Sequence, residues 1–89
     1  MARAERILKK MGENPQNDWK INDFEVVCRH YSLDCDPPTG GGSHYKVTSK
    51  YLEGILTVPA KRPIKAIYVR KFVSYVASHV SSGEEASDE

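Results

Sequence analysis

No stretch of this 89-residue chain is apolar for anything near the roughly 20 residues that a membrane-spanning helix needs. Cysteine is scarce: Cys28 and Cys35 are the only two, too few for a secreted disulfide framework. The N-terminus is charged throughout and lacks the apolar h-region of a secretory leader. The expected location is the cytoplasm. Length is lacking too, and one small domain has no room to enclose a large cofactor. Any chemistry is expected on an open surface or in a shallow groove, with no cofactor.

Acidic residues are nearly missing from one half. Residues 44–79 contain Lys46, Lys50, Lys61, Arg62, Lys65, Arg70 and Lys71 against Glu53 alone, a net charge of +6. Residues 1–43 carry six basic and seven acidic side chains, and Glu84, Glu85, Asp88 and Glu89 close the chain, so the total is only +1. A basic half on a nearly neutral chain is the footprint of a polyanion partner, although a solvated charged face has the same composition.

Periodicity orders the chain. Ala2–Met11 reads as a short helix with Ile7, Leu8 and Met11 on one side and Gly12 as its stop. The Asn-Pro of residues 13–18 marks a loop. A second helix has Asn22 as its expected cap, Glu25 as capping-box partner and Ile21 with Val26 as a staple. Phe24, Val27, Cys28 and Tyr31 form its apolar face, and Trp19 is expected to anchor it. Leu33–Asp36, Ser43–Ser49 and Ile55–Pro59 read as strands, the first two joined by the turn-forming PPTGGG. Alternation turns Tyr45 and Val47 inward and His44, Lys46 and Thr48 outward. From Ala66 a helix carries Val69, Phe72, Val73, Val76 and Val80 on one face. The expected fold is α+β, a three-stranded antiparallel sheet with helices on one face. Residues 1–80 form the single domain, residues 1–18 an N-terminal helix-and-loop extension of it, and 81–89 a disordered acidic tail.

Chemistry concentrates at Gly40-Gly41-Gly42-Ser43-His44-Tyr45-Lys46. A histidine after a glycine run, on an exposed strand face, lies beside backbone that a ligand can approach closely. Both its protonation states are accessible near neutral pH, which suits proton transfer from a ribose hydroxyl. Lys46, Lys61, Arg62 and Lys65 are candidates to orient a phosphate, and Lys65 leads into a helix N-terminus. An ordinary charged loop reads the same way. His30 and His79 are expected to be structural or simply exposed. Tyr68 and Tyr75 fit the edge of the core better than a base-stacking role. Zinc is not expected: Cys28 and His30 are two apart on a helix and point about 200° from each other.

Gly-Gly-Ser-His-Tyr-Lys-Val (41–47), then Leu-Thr-Val-Pro (56–59), then Lys65 before Val69-Arg70-Lys71-Phe72-Val73 resembles the HicA family of type II toxins over about Ile21–Ala77. The resemblance implies a fold like a double-stranded RNA-binding domain and an mRNA endoribonuclease activity (an mRNA interferase) that depends on His44. It also implies a HicB-type antitoxin partner that covers His44, with operator DNA bound by the antitoxin and not by this chain. Gly42, Ser43 and His44 match the family's active-site motif, and Lys65 matches the lysine that opens its last helix. Ala66 departs from the proline found there in many members. The alternatives are a non-catalytic RNA-binding module of the same fold and a protein-interaction domain with a basic face.

Overall fold

The computed structural model describes residues 2–40 and 42–87. In chain order the elements are α1 (Arg3–Glu13), α2 (Ile21–His30), β1 (Asp34–Asp36), β2 (His44–Thr48), β3 (Leu56–Pro59) and α3 (Ala66–Ser87). The strands form one antiparallel sheet in the order β1-β2-β3, the α+β arrangement that the periodicity implied.

α2 starts earlier than its sequence signals indicate. Its N-cap is Lys20, not Asn22, and the carboxylate of Asp23 accepts the Lys20 N–H at 3.1 Å. Trp19 and Phe24 therefore hold the two staple positions, and both are buried. An anionic side chain in the first turn also complements the helix dipole. α1 runs through Gly12 to Glu13, and Gly12 packs against Val73 of α3, where a Cβ would lie 3.8 Å from the valine methyl.

At the far end of α2 the chain reverses through Ser32, whose φ of 61° is left-handed. The Leu33 N–H donates to the Cys28 carbonyl at 2.8 Å, the closing bond of a Schellman turn. Leu33 is buried, and β1 is launched back beside α2.

The inward face of the sheet is Cys35, Tyr45, Val47, Leu56 and Val58. Val47 and Val58 are fully buried. They join Phe24, Val27, Val69, Phe72 and Val76 in one core, with Met11 contributed by α1. α1 packs on both α2 and α3, so the N-terminal extension is part of the same hydrophobic unit.

α3 does not stop at Val80. Residues 81–87 are helical, which corrects the expectation of a disordered tail beginning at Ser81; residues 88 and 89 lie outside the described residues. The reason is tertiary. Tyr51 lies against Gly83, where a Cβ would come within 2.9 Å of the ring, so glycine lets the helix pass close to the tyrosine. Among the described residues, no helix is long and apolar enough to cross a membrane.

Phe72→Ala removes the largest fully buried side chain of α3 from the centre of this core. The expected loss is about 3–5 kcal/mol, measured by urea unfolding with the single tryptophan, Trp19, as the fluorescent probe. A loss below about 1 kcal/mol would contradict a core built on this side chain.

Candidate active site at the start of the central strand

His44 opens β2, opposite Pro59 of β3, and its side chain is exposed. One residue earlier, the Ser43 carbonyl accepts the Ala60 N–H at 2.8 Å, which carries the pairing beyond the strand ends. The β1 side is different. Its last pair is Asp36 with Lys46, after which come Pro37 and Pro38, which have no N–H to continue a ladder. The chain bows away through Gly40, whose φ of 59° favours glycine. It turns back where the Gly42 N–H donates to the Thr39 carbonyl at 3.2 Å. Gly41 lies outside the described residues.

That divergence leaves a groove of about 360 Å3, bordered by Asp36, Pro38, Thr39, Gly42, Ser43, His44 and Lys46. Gly42 borders it without a side chain, and a Cβ there would press on Pro38 and the Thr39 carbonyl at 3.4 Å. Ser43 Oγ lies 3.4 Å from His44 Nδ1, a long contact that biases the ring without locking it. Nε2 of His44 has no partner among the described residues. The ring thus offers one nitrogen to an incoming group.

Four of the expected site residues, Gly42, Ser43, His44 and Lys46, meet in this groove. Lys61, Arg62 and Lys65 do not line it. Lys61 follows Ala60 directly and so stands at the same end of the sheet, on its β3 side, and it is exposed. Lys65 is exposed and caps α3, its carbonyl accepting the N–H groups of Tyr68 and Val69. Arg62 is not a free cation. It grips Asp18 with two nitrogens, Nε at 3.0 Å and Nη2 at 2.6 Å, which fastens the β3–α3 loop to the segment before α2. The Ile64 N–H donates to the Trp19 carbonyl at 3.0 Å and seals the same junction. Trp19 itself is buried and donates its indole N–H to the Asn14 carbonyl at 2.8 Å.

Sequence reasoning overlooked Asp36 and Asp34. The alternation Asp34-Cys35-Asp36 is the signal: with Cys35 inward, both carboxylates share the outer face with His44 and Lys46. The outer face is therefore acidic on β1, mixed on β2 and followed by basic residues after β3. His44 stands between the two polarities.

The other histidines illustrate what a site histidine is not. His79 is 4% exposed, with Nε2 donating to the Tyr31 carbonyl at 2.7 Å. A carbonyl only accepts, so in the neutral ring Nδ1 is the acceptor from Ser49 Oγ at 2.6 Å. Ser49 Oγ in turn accepts the Tyr51 N–H at 3.1 Å. Both ring nitrogens of His79 are spent on holding α3 to α2 and the β2–β3 turn. His30 is exposed and edge-on to Tyr31. Cys28, two residues earlier, is buried in the core, so the two potential ligands are separated as their spacing implies. Among the described residues no group of three His, Cys, Asp or Glu side chains is placed to hold a metal ion. Tyr75 bonds the Gly54 carbonyl at 2.6 Å and, like Tyr68, packs on the edge of the core.

Two measurements follow. His79→Ala orphans the buried Ser49 hydroxyl and the part-buried Tyr31 carbonyl and opens a cavity, for an expected cost of about 2–3 kcal/mol, whereas His44→Ala is expected to stay within about 0.5 kcal/mol of wild type. Equal costs would contradict the contrast between the two histidines. Asp18 provides the second. The Arg62 hydrogen bonds hold its carboxyl below the ordinary aspartate range. Its contribution to stability is present above the ordinary range and is lost as the pH falls through the lowered value. By NMR titration the Asp18 carboxyl should move back up in Arg62→Ala, and an unchanged midpoint would deny the pair.

No family model, no curated protein and no solved structure matches this chain.

Proposed function

We propose that this chain is a metal-independent endoribonuclease with His44 as its catalytic base, a HicA-type toxin that acts on mRNA in the cytoplasm and is held inactive by a HicB-type antitoxin seated over the His44 groove. The observation that carries the reading is the placement of His44: exposed, with Nε2 open, at the head of the central strand on the sheet face that no helix covers. Its strand-helix order from α2 to α3 fits the comparison with a double-stranded RNA-binding domain drawn from the sequence.

The chemistry needs few parts. His44 Nε2 takes the proton of a ribose 2′-hydroxyl, and the 2′-oxygen attacks the adjacent phosphorus. The bond to the 5′-oxygen of the next nucleotide breaks and that oxygen takes up a proton from solvent water, which leaves a 2′,3′-cyclic phosphate and a 5′-hydroxyl end. Negative charge builds on the phosphate oxygens, and Lys46 in the groove, together with Lys61 from the loop after β3, offsets it. The carboxylates of Asp34 and Asp36 repel phosphate from the β1 side. The backbone of the RNA is therefore expected to enter over β3 and the basic loop, with a splayed base on the groove side. Lys65, at the head of α3, is a second backbone contact. Arg62, being paired with Asp18, contributes to loop position before it contributes to RNA binding.

The test is cleavage of RNA in EDTA by wild type and by His44→Ala purified in parallel. Loss of about 10²–10⁴ in rate in a folded variant is the expected outcome, with cyclic or 3′-phosphate termini on the products. Equal cutting by both would remove His44 from the reaction. Binding of RNA without turnover by either would make the protein a non-catalytic RNA-binding module, and 3′-hydroxyl products formed only with magnesium would replace the mechanism.

A further inference from the structure

The two cysteines take no part in the reading above, yet the fold sets them against each other. Cys28 stands in the last turn of α2 and Cys35 at the middle of β1. The Schellman turn between them, closed by Leu33 on the Cys28 carbonyl, reverses the chain and lays β1 back over the helix. Cys35 is paired with Val47, so its side chain points inward to where Cys28 is buried. Both thiols are free and border one small cavity of about 190 Å3 with Glu25, Arg29 and Leu33.

The two thiols differ in access and in character. Cys28 is 1% exposed, while Cys35 is half-buried and open to the cavity. Hydrogen bonding with Cys35, and after it burial, hold the Cys28 thiol far above the ordinary range. Accepting that hydrogen bond brings the Cys35 thiol below it, against the opposing effects of burial and of the Glu25 and Asp36 carboxylates. An accessible sulfur inclined to the thiolate, backed by a second sulfur on the same small cavity, is the arrangement of an attacking and a resolving cysteine.

We propose that Cys28 and Cys35 form an oxidisable dithiol site, in which a peroxide converts the pair into an intrachain disulfide that fastens β1 to α2. The Cys35 thiolate attacks one peroxide oxygen; the O–O bond breaks, the departing hydroxide takes up a proton as water, and Cys35 becomes a sulfenic acid. The Cys28 sulfur then attacks the Cys35 sulfur, and the sulfenic hydroxyl leaves as a second water with the Cys28 proton. Two thiols are oxidised by two electrons in all, and one peroxide is reduced to two waters. Cys35 is followed directly by Asp36, on the border of the His44 groove, so the bond immobilises one wall of that groove. The site itself does not depend on the ribonuclease reading.

The sequence makes the test direct. Arg29 lies between the cysteines, and trypsin cuts after it, so Cys28 and Cys35 fall on the separate peptides Ile21–Arg29 and His30–Lys46. The protein is treated with hydrogen peroxide at low molar excess, alkylated, digested without reductant and mapped by mass spectrometry. The expected product is the two peptides joined within a monomeric chain, and reductant separates them. Hydrogen exchange of residues 33–36 should slow in the oxidised form by several-fold. In Cys35→Ser the Cys28 thiol should remain unoxidised under the same treatment, and that exposed-side variant avoids emptying the core. Cys35 recovered as sulfinic acid, a disulfide between two chains, or both thiols alkylated after peroxide would each overturn the proposal. A disulfide formed without slower exchange in β1 would overturn the fastening.

Discussion

The fold hangs on the contact between Phe24 and Phe72, whose ring centroids lie 4.5 Å apart at 41°. Neither ring is exposed. The contact joins α2 to α3 and makes the helices one layer, onto which Val47 and Val58 press from the sheet. With every helix on that side, three short strands have a single dry face. The opposite face has nothing to bury, so its residues are released from packing and free to be chosen for charge and reactivity. Asp34, Asp36, His44, Lys46 and Thr57 occupy it.

Wherever the information is periodic, it was legible in the residues. The spacing of Val69, Phe72, Val73 and Val76 marks α3, and the alternation in β2 separates Val47 from His44 and Lys46. The boundaries were harder, because they are set by interactions that leave no period. α2 begins at Ile21 because the Asp23 carboxylate reaches back to Lys20 with Trp19 buried ahead of it, and Asn22 with Glu25 offers an equally good motif on paper. The extension of α3 depends on Tyr51 meeting Gly83, a contact between a turn and a helix that no local rule contains. Arg62 is read as a phosphate ligand from its neighbours Lys61 and Lys65, but its partner Asp18 is 44 residues away in the chain.

His44 and His79 show how far residue type falls short of role. Each has one serine hydroxyl at Nδ1: Ser43 beside one ring, Ser49 beside the other. His79 has both nitrogens engaged in a dry setting, so its proton has no route to a substrate and its imidazole acts as a structural bridge. His44 has one weak contact and one open nitrogen, at the boundary between acidic and basic ground. Sequence position after Gly-Ser was enough to favour His44, while the bridging role of His79 needed three elements to be placed together first.

The groove beside His44 comes from a failure of pairing that the chain builds in. β2 is the central strand and has two edges to satisfy. Along β3 it is paired from Val47 to His44 and then through Ser43 to Ala60. Along β1 the ladder stops at Lys46, because Pro37 and Pro38 carry no hydrogen to donate. A continued strand would have covered the space beside His44 with another backbone and its side chains. Instead the chain leaves by a route that Gly40 permits and returns at Gly42, which adds no side chain to the wall. His44 is thereby held firmly on one side and left accessible on the other, which is the combination that a positioned proton acceptor requires. The proline pair, the glycine run and the histidine are adjacent in sequence because each supplies one part of that geometry: the stop, the detour and the group it exposes.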